Sequence, residues 1–136
     1  MTHEELPLAT LFREILVFLQ DRQDAVLFGA QAVNAYCDVE RMTQDIDVLS
    51  IDASDLAEAI RTHLAERFGI AVRTREVVEG KGFRVYQARK PRNRHLVDVR
   101  AVRKLPPSRD HEGIRVIEPF ELIAMKVISS SQRHGQ

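Results

Sequence analysis

The sequence predicts a single α+β domain, an α/β sandwich in which helices flank a mixed β-sheet, and three observations support this fold class. The 136 residues suffice for one hydrophobic core, and the hydrophobic and charged fractions, 44% and 29%, are typical of globular proteins. Apolar residues recur at helical spacing in some segments and at strand spacing in others. The two kinds of segment alternate along the chain, which favours helices packed against a sheet.

Each element has its own signal in the chain. Helices are predicted where apolar or alanine-rich stretches lack breakers, with Ser54 as an N-cap and Gly69 as a terminator: 6–21, 30–36, 54–69 and 119–131. Strands are predicted where apolar residues alternate or form short runs: 25–28, 45–50, 70–78, 83–89, 94–102 and a short edge strand at 114–117. Residues 79–82 contain two glycines and predict a hairpin turn, and residues 37–44 predict a loop.

The charges are balanced overall but unevenly distributed along the chain. Residues 1–60 contain three basic and twelve acidic side chains, whereas residues 61–116 contain fifteen basic and six acidic side chains. This asymmetry is consistent with one surface that attracts cations and another that attracts phosphates. Two oppositely charged, solvated faces would give the same counts, so charge alone does not decide the function.

The remaining composition signals exclude several classes of protein. Cys37 is the only cysteine, so no internal disulfide can form, and the longest apolar run, 15–19, is too short to span a bilayer. The N-terminus lacks the basic start of a signal peptide. The sequence contains no P-loop, dinucleotide-binding or zinc-ligand pattern. We therefore predict a cytoplasmic protein with no membrane partner, formed as one domain over residues 1–136.

The most informative segment contains two aspartates at strand spacing. If residues 45–48 form a strand, Asp45 and Asp47 project from one face, and Ile46 and Val48 project from the other. Neighbouring carboxylates repel each other unless a cation lies between them, so this pattern suits magnesium or manganese. Two solvated aspartates on an edge strand would give the same pattern.

Asp98 supplies a third carboxylate, within an otherwise apolar strand. Alternation places it on one face together with Leu96 and Arg100. An aspartate in such a strand costs free energy to bury unless it is paired or metal-bound. If this strand lies beside 45–50, the three aspartates converge on a two-metal site of the kind used in phosphoryl chemistry. A salt bridge with Arg84 or Arg100 is the alternative explanation for Asp98.

A strand, a glycine turn, a helix and a second strand together form one composite motif. In this chain it reads Phe28-Gly29-Ala30-x-Ala32, then the helix, then Arg41-x-Thr43-x-Asp45-x-Asp47. The pattern resembles the core signature of the nucleotidyltransferase superfamily, and over residues 24–130 it is most similar to minimal nucleotidyltransferases and AbiEii-type toxins of bacterial toxin–antitoxin and phage-defence systems. Asp98 and Lys126 fall where that superfamily carries a third carboxylate and a late lysine.

The resemblance implies a nucleotidyltransferase-like fold and a specific reaction. A nucleoside monophosphate would pass from a nucleoside triphosphate, such as ATP, to an acceptor hydroxyl on an RNA end (tRNA included) or on a protein. By this resemblance, Asp45, Asp47 and Asp98 are the catalytic residues and the ligands of two Mg²⁺ or Mn²⁺ ions. The nucleotide-binding residues that it implies are Gly29, Ala30, Arg41, Thr43 and Lys126. A toxin of this kind would have an antitoxin partner.

Two features depart from the pattern of the superfamily. Ala30 stands where these proteins usually have a second glycine or a serine, which weakens the expected cradle for the triphosphate. Related toxins continue into further helices, whereas this sequence stops at Gln136, so a further C-terminal helical region is left open. The alternative functions are a non-catalytic nucleotide- or partner-binding module on the same fold and a two-metal nuclease.

Overall fold

The computed structural model describes residues 6–28 and 45–118, which form a seven-stranded sheet and two helices. In chain order the elements are α1 (Leu8–Leu19), β1 (Ala25–Phe28), β2 (Ile46–Ser50), α2 (Ala53–Phe68), β3 (Val72–Val78), β4 (Gly82–Gln87), β5 (Arg94–Ala101), β6 (Ser108–His111) and β7 (Ile114–Ile117). The helices predicted at 30–36 and 119–131, and the loop predicted at 37–44, lie outside the described residues. Across 6–28 and 45–118, no helix is long and apolar enough to cross a membrane.

The sheet is mixed, as the sequence predicts. Its strand order is β3-β4-β5-β2-β1-β7-β6. Strand β2 pairs with β5 in parallel, and β1 pairs with β7 in parallel, whereas all other neighbouring strands are antiparallel. The parallel β2–β5 pairing requires a long crossover, which is supplied by α2 and the β3–β4 hairpin.

The main hydrophobic core lies between one face of the sheet and the two helices. Phe12 and Ile15 of α1 and Ile60 of α2 are at most 1% exposed, and they belong to the same cluster as Val48 of β2 and Val97 of β5. Burial of each such side chain stabilises the fold by roughly 1.5–3 kcal/mol relative to exposure. We call this the helical face of the sheet.

The opposite face of the sheet, which we call the open face, has a much smaller apolar cluster. Val26, Leu49 and Ile117 are buried there, with Phe28 and Leu105 packed against them. This cluster occupies the β2, β1 and β7 part of the sheet. The β3, β4 and β5 part of the open face carries charged side chains instead.

Glycines adopt a left-handed backbone conformation at one helix end and in one hairpin turn. Helix α2 ends at Gly69, which has φ of 64°, and the β3–β4 turn contains Gly80, which has φ of 68°. Both ends are predicted from the sequence. The start of α2 differs from the prediction, because Asp52 rather than Ser54 is the N-cap, and it makes no side-chain capping hydrogen bond.

The prediction that 114–117 forms an edge strand is wrong. Strand β7 pairs with β1 on one side and with β6 on the other, so β6 is the edge. The reason lies in side-chain polarity: Ile114, Val116 and Ile117 are at most 4% exposed, whereas β6 reads Ser-Arg-Asp-His and is suited to solvent.

The predicted placement of Leu96 beside Asp98 is also wrong, because β5 contains a bulge. Val85 pairs with Val97 and Tyr86 pairs with His95, so Leu96 has no partner on β4. Leu96 and Val97 are consequently both buried in the helical-face core. The extra residue returns His95 to the open face, on the same side of the sheet as Asp98.

Candidate active site

The candidate active site is built around two aspartates on adjacent parallel strands. Asp47 of β2 and Asp98 of β5 are register partners, so their side chains project side by side from the open face. Asp45 precedes β2 by one residue and is two residues before Asp47. Because β2 is an interior strand, the alternative of two aspartates on an edge strand is wrong.

The pKa values of Asp45 and Asp47 show the effects of partial burial and of neighbouring negative charge. Burial raises the pKa of Asp47 to about 6, and the negative charges of Asp98 and Asp45 raise it in the same direction. Burial is also the largest cause that raises the pKa of Asp45, and the negative charge of Asp98 is the second. The charge of His95 lowers this pKa. The three carboxylates therefore repel one another, and a bound cation would relieve that repulsion.

Arg84 of β4 supplies a positive charge to this cluster. It is the register partner of Asp98 on the other side of β5, and its Nε donates a hydrogen bond of 2.8 Å to Asp98 Oδ1. Both side chains are 32% exposed. The hydrogen bond to Asp98 is the main cause that raises the pKa of Arg84. The salt bridge that the sequence offered as an alternative explanation for Asp98 is thus present.

A pocket of about 360 Å³ opens beside Asp47 and Asp98. Its lining combines apolar, acidic and basic side chains: Phe28, Asp47, Val77, Val78, Lys81, Gly82, Phe83, Arg84, Asp98, Val99, Arg100 and Ala101. The guanidinium carbon of Arg100 lies 5.6 Å from the ring centroid of Phe28, a cation–π distance that holds this cation at the wall of the pocket. We call this the carboxylate pocket.

The β3–β4 hairpin forms the outer wall of the carboxylate pocket. Val77 and Val78 are 45% and 54% exposed there, so the wall that they form is apolar and open to solvent. A Cβ atom on Gly82 would lie 3.3 Å from side-chain atoms of both valines. The glycine therefore allows the end of β3 to close tightly onto the start of β4.

The open face of β3 and β4 extends the positive charge outward from the pocket. Arg75 pairs with Arg84, and Arg73 pairs with Tyr86, so two arginines of β3 stand on the same face as the candidate site. Tyr86 also meets His95 in a T-shaped ring contact with 6.4 Å between the centroids. We call this set the basic strip, formed by Arg73, Arg75, Arg84, Tyr86 and His95.

Some of these residues are absent from the sequence prediction of the site. The sequence suggests Arg84 and Arg100 as salt-bridge partners of Asp98 and includes Arg84 in a basic run that could contact RNA phosphates, but it does not single out Lys81, Arg73 or Arg75. The signal that could have found the two β3 arginines is the alternation on either side of the turn at Gly80, since it places them on the face of Arg84.

The donor set fits a divalent cation in its chemistry. Carboxylate oxygens are the ligands that magnesium and manganese prefer, and Asp45 and Asp47 are partly buried beside a like charge. Within the part of the chain that the structure describes, no three His, Cys, Asp or Glu side chains are gathered as a metal-binding group. In this arrangement Asp98 is held by Arg84 instead.

The predicted nucleotide-binding residues cannot be placed against this geometry. Gly29, Ala30, Arg41, Thr43 and Lys126 all lie outside the described residues. Their predicted roles stay predictions. The described neighbour that bears on them is Phe28, which ends β1 and is the register partner of Asp47.

Solved structures of nucleotidyltransferases share this fold. The chain is similar to the polyadenylate synthase of Megavirus, with a TM-score of 0.62 and 13% identity over 98% of this chain and 30% of that one. It is also similar to an H. pylori protein described as a nucleotidyltransferase, with a TM-score of 0.63 and 18% identity over 93% of this chain and 59% of that one. The α+β, nucleotidyltransferase-like fold is thereby confirmed. The chain spans less than two thirds of the length of either structure.

The family follows from the sequence itself. Residues 10–135 match the family of the nucleotidyl transferase AbiEii toxin of type IV toxin–antitoxin systems. The chain therefore belongs to the AbiEii nucleotidyltransferase toxin family, which confirms the resemblance drawn from its motifs. A comparison with curated proteins found no match.

Proposed function

We propose that this chain catalyses metal-dependent transfer of a nucleoside monophosphate from a nucleoside triphosphate to an acceptor hydroxyl. The observation that carries the proposal is the register pairing of Asp47 with Asp98, with Asp45 close enough to add to their repulsion. Paired carboxylates in a partly buried position next to a pocket are an arrangement that suits two-metal phosphoryl-transfer chemistry. Membership of the AbiEii family supports the same reaction.

The reaction makes one bond and breaks one bond at the α-phosphorus. The acceptor oxygen bonds to the α-phosphorus, the bond between that phosphorus and the α–β bridging oxygen breaks, and pyrophosphate leaves. A divalent ion bound by Asp45, Asp47 and Asp98 would neutralise phosphate charge and lower the pKa of the acceptor hydroxyl. Asp98 lines the carboxylate pocket together with Asp47, and we propose that its carboxylate takes the hydroxyl proton.

The nucleotide and the acceptor would approach from opposite sides of the carboxylates. Strand β1 lies on one side of β2 and leads to Gly29, the predicted triphosphate turn, which we propose binds the β- and γ-phosphates together with Ala30. Arg41, Thr43 and Lys126 would add contacts to the triphosphate. Strands β5 and β4 lie on the other side, and the carboxylate pocket there would receive the acceptor.

We propose an RNA end, such as that of a tRNA, as the acceptor. The support for this choice is the basic strip, because arginines on the open face can contact successive phosphates and the exposed part of Tyr86 can stack on a base. The β3 arginines directly oppose other residues of the strip, and the like charges of Arg75 and Arg84 on one face favour an anionic partner beyond Asp98. A protein hydroxyl is the second candidate acceptor. Toxicity controlled by an antitoxin is the biological role proposed from family membership.

Labelled nucleotides test the reaction and the acceptor together. The protein is incubated with each α-³²P-labelled NTP and Mg²⁺, with either total cellular RNA or RNase-treated lysate as acceptor. We expect label in the RNA fraction with one preferred NTP, and no label with Asp47→Asn. Label in protein would replace the acceptor proposal, and shortened RNA without label would favour a nuclease.

Thermal melting with Mg²⁺ and each NTP distinguishes an enzyme from a binding module. A non-catalytic module would be stabilised by nucleotide and would transfer no label, because any ligand that binds the native state alone raises the melting temperature. Wild-type protein that is neither stabilised by nucleotide nor active would contradict both functions.

A further inference from the structure

Arg84 is a cation that contacts the carboxylate cluster directly, through Asp98. Its Nε donates a hydrogen bond of 2.8 Å to Asp98 Oδ1. Its charge also lowers the pKa of Asp45 and of Asp47, after the larger effects of His95 on Asp45 and of Arg100 on Asp47. A single guanidinium thus offsets part of three negative charges, which is also what a divalent cation would do in this place. Arg84 and Asp98 both line the carboxylate pocket.

The ion pair is built so that it can be exchanged. Both side chains are about one third exposed, and water screens an ion pair of this exposure, so its net contribution to stability is small. A divalent cation carries twice the charge and binds carboxylate oxygens directly, so it outcompetes a guanidinium for Asp98.

A positive charge on β3 disfavours conformations in which Arg84 turns away from the carboxylates. Arg75 is its register partner on β3, and two positive charges directly opposite each other repel. In the absence of anions, this repulsion favours the salt bridge to Asp98. An anion in the pocket reverses that preference, because a guanidinium can bind phosphate through paired N–H donors on its Nη atoms.

We propose that Arg84 is an exchangeable counter-ion: it holds Asp98 in the metal-free protein, leaves Asp98 when a divalent cation binds, and then binds an anionic group of the acceptor in the carboxylate pocket. This inference rests on the proposed function, since it assigns Asp98 to the metal. Its consequence is that metal binding and acceptor binding favour each other, because the same side chain serves both in turn.

Metal affinity of the full chain without nucleotide tests the first half of the exchange. Mn²⁺ binding is measured by electron paramagnetic resonance for wild type, Arg84→Gln, Arg84→Lys and Arg75→Gln. We expect Arg84→Gln to bind Mn²⁺ about tenfold more tightly than wild type, because the competing charge is gone. Arg84→Lys keeps the positive charge, so its Mn²⁺ affinity should stay near that of wild type. Arg75→Gln removes a charge one strand further away, so its Mn²⁺ affinity should change by less than about threefold. Equal or weaker binding by Arg84→Gln would overturn the proposal.

The wild-type protein tests the same exchange without any substitution. The Nε–Hε signal of Arg84 is followed by nuclear magnetic resonance during titration with Mg²⁺, and it is assigned by its absence from Arg84→Lys. We expect the signal to shift and its exchange with solvent to quicken as the salt bridge opens. A signal that stays unchanged at saturating Mg²⁺ would overturn the proposal even if Arg84→Gln failed to fold.

The outcomes separate this inference from the proposed function. If neither wild type nor Arg84→Gln binds Mn²⁺, the metal-dependent function fails and the inference fails with it. If both bind equally and the Arg84 signal does not move, the proposed function stands and the exchange alone is wrong. If Arg84→Gln binds more tightly and needs a higher RNA concentration for half-maximal transfer, both halves of the exchange are supported.

Discussion

The two faces of the sheet use the same strands for different purposes. On β2, Val48 points to the helical face and is fully buried, whereas its neighbour Asp47 points to the open face. On β5, Val97 and Asp98 are divided in the same way. The comparison shows that a strand with one well-packed face can tolerate mutually repelling charges on the other. Stability is concentrated on the helical face, and the candidate chemistry is concentrated on the open face.

The largest expected effect is on nucleotide transfer, and it comes from a substitution on the open face of β2. Asp47→Asn preserves the shape of the side chain but removes one charge, so nucleotide transfer should fall about a thousandfold or more, as loss of several kcal/mol of transition-state stabilisation implies. The metal-free protein should be equally stable or more stable, because repulsion with Asp45 and Asp98 is relieved. Transfer assays and urea unfolding in EDTA measure the two effects. A loss of several kcal/mol in stability would instead identify Asp47 as a structural ion-pair partner.

The matched substitution on the helical face should show the reverse behaviour. Ile60 of α2 is 0% exposed in the main core, so Ile60→Ala should lower the free energy of unfolding by roughly 2–5 kcal/mol. Its Mn²⁺ affinity, measured well below the melting temperature, should equal that of wild type. A large loss of metal affinity in the folded variant would show that the two faces are coupled.

A smaller effect concerns the pH dependence of the metal-free protein. The pKa of Asp47 is about 6 in the folded state, above its ordinary value of 3.8, so the folded protein holds this proton more tightly than the unfolded chain does. The resulting stabilisation is complete below about pH 4 and is lost as the pH rises through 6, with a size of the order of 1 kcal/mol after solvent screening. Urea unfolding in EDTA between pH 4 and 7 should show this decline. Asp47→Asn should reduce it, and an unchanged pH profile in that variant would assign the decline to other groups.

The smallest expected effect is on RNA binding by the arginines of β3, at the edge of the open face. Replacement of both Arg73 and Arg75 by glutamine should weaken RNA binding and lower the slope of log K against log salt by about 1 to 2, since each phosphate contact contributes to that slope. Arg61 and Arg67 on α2 provide the control, since a helix on the other face should not contact the RNA. Fluorescence anisotropy with a labelled single-stranded RNA measures both pairs. If both double substitutions lowered RNA affinity equally, RNA binding would depend on overall charge rather than on the basic strip.

Much of the fold could be predicted because its elements carry local signals. Helix α1, strand β1 and the end of α2 at Gly69 follow directly from apolar spacing and a glycine stop. The interior position of β7 could not be predicted in this way, because strand order depends on which partners bury Val116 rather than on its own sequence. The bulge at Leu96 also depends on pairing with β4, which alternation in one strand does not encode.

The acidic residues of the candidate site could be predicted from the sequence, whereas the basic partner of Asp98 could not. The aspartates follow from strand parity and from the motif, and the structure puts Asp47 and Asp98 on adjacent strands. The choice between Arg84 and Arg100 as the partner of Asp98 required the register of the β4–β5 pairing, in which Arg84 and not Arg100 is opposite. The contact of Arg100 with Phe28 joins residues from β5 and β1, which are not neighbouring strands.

The parallel pairing of β2 with β5 has a consequence for how the chain folds. Asp47 and Asp98 are about fifty residues apart in sequence, so they meet only after a long loop has closed, and such non-local contacts form slowly. Docking of these strands brings two negative charges together at that step. We therefore expect ionic strength and dissolved divalent cations to speed refolding by weakening this repulsion, so that refolding kinetics probe the carboxylates before any nucleotide is added.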